Sequence, residues 1–147
     1  MKKQAYTMIA MIVLVGSMAV AAQAQTSGRT QLIANIPFEF NVGNKTLPAG
    51  EYAVSQVNPS SDRVVLQLRN KEGGAGTMVQ MNSVIGKAPE SAKLIFSRYG
   101  NRYFFAQAWV DGDTSGLQAP KSRAERAIAS ELASGERKTA TVALSRQ

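Results

Sequence analysis

The chain contains no cysteine and no histidine in 147 residues. Without cysteine there are no disulfides, no thiolate nucleophile and no sulfur ligands for a metal, so packing alone must hold the fold. Without histidine, serine–histidine triads and the usual zinc ligand sets are excluded. Acids are scarce as well, 10 against 17 lysines and arginines. A glycosidase needs two carboxylates across a sugar ring. The acids near the opening strands, Glu39 and Glu51, occupy outward positions of alternating runs. Gly86-Lys87 lacks the upstream glycine of a phosphate-binding loop, and Ala88 stands where that loop requires Ser or Thr. These absences point away from an enzyme and away from any bound cofactor. A carboxylate-dependent hydrolase is the catalytic alternative.

Long apolar runs are also missing, with one exception at the amino terminus. Lys2 and Lys3 precede an uncharged stretch centred on Met8–Val20, and Ala22-Gln23-Ala24 follows. This is the layout of a secretory signal cut between Ala24 and Gln25. The apolar centre falls short of the roughly 20 residues that cross a bilayer. The expected division is a signal peptide at 1–24 and one secreted domain at 25–147. Loss of Lys2 and Lys3 lowers the formal charge from +7 to +5. A periplasmic or extracellular protein of that charge meets anionic envelope polymers or another envelope protein, and no nucleic acid. Stable membrane insertion is not expected after cleavage. Most cations are scattered through turns, but Lys121, Arg123 and Arg126 cluster and form a possible binding surface.

What the chain has is period-two alternation punctuated by turns. Phe38, Phe40 and Val42 alternate with Glu39 and Asn41, and Leu47-Pro48-Ala49-Gly50 makes a corner. Tyr52 and Val54 resume the pattern. Further strands are expected over Thr30–Asn35, Arg63–Arg69, Thr77–Val84 and Lys138–Leu144, the last with Ala140, Val142 and Leu144 inward. Gly100-Asn101 fits the two-residue loop of a type II′ hairpin. That register pairs Phe96 with Phe105, Leu94 with Gln107 and Ala92 with Trp109. It puts Leu94, Phe96, Tyr103, Phe105 and Trp109 on one core face. Ile95, Phe104, Ala106, Ala108 and Val110 fall on the other. Ser122 and Glu125 form a capping box that opens a helix over 122–134, ended by Gly135. Ala124, Ala127, Ile128 and Leu132 make its apolar face, expected to cover Ala106 and Ala108. The fold class is mainly β: one antiparallel sandwich or barrel of about 7–8 strands with a single C-terminal helix packed on it.

Four segments carry a resemblance: Ile36–Phe40, Leu47–Tyr52, Arg98–Phe104 and Pro120–Arg126. Together they resemble a family of short, secreted, uncharacterised bacterial proteins, which brings no activity to transfer. The Leu47–Val54 corner is also similar to corners in prealbumin-like and carboxypeptidase-regulatory-like β-sandwich modules. The missing catalytic residue types and the amino-terminal export signal together lead to the expectation of a non-catalytic structural or binding module of the bacterial cell envelope. One sharper signal stands beside it. Asp111, Asp113 and Ser115, followed by Gly116, match the opening half of a calcium loop. Ser122 replaces the glutamate at the twelfth position, so a solvated turn is the preferred reading. Tyr99, Tyr103, Phe105 and Trp109 could stack on a sugar, but so few aromatics are better assigned to the core.

Overall fold

The computed structural model of the chain describes residues 31–59, 61–132 and 137–146. The signal segment, its Ala24–Gln25 junction and Gly135 lie outside the described residues. Alternation becomes strand throughout: β1 (Leu32–Ile36), β2 (Phe40–Val42), β3 (Lys45–Leu47), β4 (Gly50–Gln56), β5 (Val64–Asn70) and β6 (Gly76–Ile85). They are followed by β7 (Lys93–Tyr99), β8 (Arg102–Trp109), β9 (Ser115–Gln118), α1 (Arg123–Glu131) and β10 (Lys138–Arg146). Eight strands close a ring in the order β8-β7-β10-β1-β4-β5-β6-β9, and β9 returns to β8. Every neighbour in that ring is antiparallel. The architecture is a closed barrel, which leaves no ring strand with a wholly free edge.

The seam is closed by two different pieces. The carboxyl half of β8 pairs with β9 through Gln107 and Ala108. Its amino half instead meets the β2–β3 hairpin, through the parallel pair Asn41–Phe104. From that hairpin Lys45 Nζ donates to the Gly76 carbonyl at 2.6 Å and so reaches the start of β6. Phe40, Val42 and Leu47 are buried. They join Phe96, Tyr52 and Phe105 in filling this end of the barrel. Edge-to-face pairs join Phe40 to Tyr52 and to Phe96, with centroids 5.2 and 5.3 Å apart. Phe38 stacks on Tyr103 at 3.8 Å. One end is therefore plugged by rings.

The Leu47–Gly50 corner forms as the sequence suggests, and Gly50 is required there. Its φ is +154°, and a Cβ would stand 2.9 Å from Asn70 Nδ2. Asn70 cannot yield freely, because its Oδ1 accepts from the Glu72 and Gly73 amides at 2.8 and 2.9 Å. The hairpin turn is also as expected: Gly100 has φ +61° and Asn101 does not share a positive value, the type II′ combination.

The hairpin register needs a correction. Phe96 pairs with Phe105, but Ile95 then pairs with Gln107, Leu94 with Ala108 and Lys93 with Trp109. Ala106 is the extra residue of a β-bulge, and every side chain beyond it changes face. Ala108 turns inward and packs on the core. Trp109 turns outward, where it is buried against glycine: Cβ atoms at Gly116 and Gly86 would both stand 2.6 Å from ring carbons. Its Nε1 donates to Gln107 Oε1 at 3.0 Å.

The helix is rotated from its expected setting. Ala124 and Ala127 are exposed, Ile128 is half-buried and Leu132 is 42% exposed. Glu125 is the buried residue of α1, at 4% exposure. The face toward the barrel therefore follows Ser122, Glu125, Ile128 and Ala129. Ala106 remains near the helix, but Ala108 does not, because the bulge has sent it inside.

Candidate binding sites at the barrel mouth and beneath the helix

The end opposite the aromatic plug is open. Leu32, Val54, Leu66, Ala108, Leu117 and Leu144 line a cavity of about 390 Å³ there. Each comes from a different strand, β1, β4, β5, β8, β9 and β10 in that order, and each faces inward by alternation. The rim adds Ser55, Gln56, Val110, Asp111, Ser115 and Arg146. Arg146 and Asp111 approach at 3.8 Å, with the arginine side chain mostly in solvent and the aspartate about half exposed. Such a pair contributes little and leaves the guanidinium available. Val110 is 48% exposed and Ile85, which pairs with Ser115 at the same end, is 85% exposed. An apolar chamber with one cation and a few hydroxyl and amide groups at its entrance suits a small amphiphile.

A second cavity, about 300 Å³, lies on the outer wall beside α1. Glu125 forms part of it and accepts a hydrogen bond from the Tyr99 hydroxyl at 3.2 Å. Burial pushes the Glu125 carboxyl above its ordinary pKa, against the opposing pull of the Tyr99 hydrogen bond, Lys121 and Arg137. Tyr99 is raised too, first by burial and then by the Glu125 charge. Ser122 Oγ accepts from the Glu125 amide at 3.1 Å, so the cap reads as the sequence suggests. The carboxylate, however, turns to the barrel. The capping-box pattern alone assigns Glu125 to the helix cap. Its spacing of three and seven from Ile128 and Leu132 was the signal that it shares their face.

The sequence-derived candidates fall in three places. Asp111 and Ser115 stand at the mouth, while Asp113 Oδ1 accepts from the Ser115 amide at 2.8 Å as a turn residue does. Among the described residues no three acidic side chains gather where a cation could sit. Lys121 lines the outer cavity, whereas Arg123 and Arg126 are exposed on α1. Of the four aromatics, Phe105 and Tyr103 face the core, and Tyr99 and Trp109 are buried on the outer wall. Glu39 is exposed and Glu51 pairs with Lys71 at 2.7 Å.

No protein-family model, curated protein or solved structure matches this chain. Among the described residues no helix is long and apolar enough to cross a membrane.

Proposed function

We propose that the chain is a non-catalytic binding module, exported from a bacterial cytoplasm by residues 1–24, that works in the cell envelope. Its ligand is a small amphiphile with an apolar tail and an anionic head. The observation carrying this reading is the open end of the barrel, where inward apolar side chains from six strands line a cavity of about 390 Å³ that Arg146 borders. Nothing in that chamber suggests bond-making chemistry. The opposite end is packed with aromatics, so the chamber is a dead end rather than a channel. Rigid strands on all sides preorganise it, which limits the ordering cost of binding. The hydrolase alternative finds one carboxyl of raised pKa, Glu125, and among the described residues no second carboxylate lining its cavity.

Dodecanoate and dodecanol are suitable probes, read by calorimetry. Dodecanoate should bind saturably, and Ala108→Phe should abolish binding by filling the chamber. Arg146→Gln should weaken dodecanoate severalfold and leave dodecanol unchanged, as loss of one exposed charge contact implies. No saturable binding by the wild type, or equal effects of Arg146→Gln on both probes, would sink the assignment.

A further inference from the structure

We propose that the cavity beneath α1 is a separate binding site for a sugar acid, a polyhydroxylated ring bearing a carboxylate. It shares no lining residue with the barrel mouth. Its floor is built from the outer faces of four adjacent strands. Thr141 pairs with Ile95, Ile95 with Gln107, and Gln107 with Gln118, so these side chains stand in one row across β10, β7, β8 and β9. Thr139 and Ser97 form part of the next row.

Polar side chains on the outer wall of a barrel are by themselves ordinary solvated surface. Three features set this patch apart. The helix and the turn at Ala119–Lys121 flank it, making a partly open groove of about 300 Å³ rather than a flat wall. The Ala106 bulge interrupts the ladder at its floor, the kind of irregularity that re-aims side chains beside binding sites. A carboxyl group, Glu125, is held at its inner wall at 4% exposure, in a chain that has only 10 acids to place.

The chemistry selects the ligand. Gln107, Gln118, Thr139 and Thr141 offer donors and acceptors in both senses, as sugar hydroxyls require. Ile95, Ala106 and Ala119 give a small apolar strip for the C–H face of a ring. Lys121 and Arg137 are exposed cations at the border, and a guanidinium holds a carboxylate through two parallel hydrogen bonds. Glu125 is an acceptor for a ligand hydroxyl. Lys121 and Arg137 stand close enough to Glu125 to offset its charge toward an incoming anion.

The test compares glucuronate, glucose and inorganic phosphate on the chain from Gln25 onward, by calorimetry and amide chemical shifts. Glucuronate should bind and shift the Thr139 and Thr141 amides, and glucose should bind at least about tenfold more weakly. Arg137→Gln, a change at an exposed position, should weaken glucuronate about tenfold without altering dodecanoate binding. Thr141→Val should weaken glucuronate and glucose alike. Equal binding of glucuronate and glucose, or an Arg137→Gln variant that binds normally, would overturn the site. Displacement of glucuronate by an equal concentration of phosphate would overturn the choice of a carboxylate.

Discussion

Gly116→Ala adds one methyl group to a strand that has no room for it. The new Cβ would lie 2.6 Å from Trp109 Cδ2 and 2.7 Å from Cε2 and Cε3. Carbon atoms in contact prefer about 3.5–4.0 Å, so the overlap is close to 1 Å. The ring cannot retreat easily, because Gly86 holds its far edge and Gln107 its nitrogen. Nor can β9 move outward, being hydrogen-bonded to β6 on one side and β8 on the other. Overpacking of this kind costs about 1–3 kcal/mol. Replacing glycine by alanine returns about 0.4–1 kcal/mol through the unfolded chain, where φ is acceptable. Gly116 has no positive φ, so that gain applies. The expected net loss is about 1–2 kcal/mol. The assay is urea unfolding followed by far-ultraviolet circular dichroism, since the cycle removes the single tryptophan. In a Trp109→Leu background the same substitution should cost nothing, because the clash is with the indole. An equal cost in both backgrounds would refute the reasoning, as would a stabilised Gly116→Ala protein.

Two further outcomes follow from other parts of the molecule. The folded-state pKa of Glu125 is raised, so the native protein holds this proton more tightly than the unfolded chain. The associated stability is complete below the unfolded pKa, near 4.3 for glutamate, and is lost as pH rises through the folded value. Glu125→Gln should flatten that decline, measured as the urea midpoint from pH 4 upward; an unchanged slope would refute the burial argument. Export predicts that protein recovered from periplasm or medium begins at Gln25, and an intact mass that retains residues 1–24 would refute it.

Period-two runs were enough to place most of the ring, because burial on one face leaves a local trace. Phe40, Leu66, Leu68 and Val142 are all inward where alternation puts them. The bulge at Ala106 left no such trace: Ala106 and Ala108 are the same residue type, so either register reads equally well. Strand β9 was missed because Ser115-Gly116-Leu117-Gln118 has one apolar residue and a glycine that looks like a turn. That glycine is there because the Trp109 ring lies against it. The mouth was invisible for a different reason. Its lining is gathered from six strands between Leu32 and Leu144, and no spacing within one segment announces it.

The ring closes through its first and last strands, β1 and β10, which meet along Leu32–Arg146, Ile33–Ser145 and Ala34–Leu144. The Ser145 hydroxyl donates to the Ile33 carbonyl across 112 residues of chain. A growing polypeptide therefore has two open strand edges, on β1 and β7, until Lys138–Arg146 becomes available. However far the rest of the core has grown, the barrel stays incomplete until Lys138–Arg146 takes its place between β1 and β7. The same timing exposes a risk: a product shortened by its last strand keeps both edges unpaired, and each can recruit the edge of another copy.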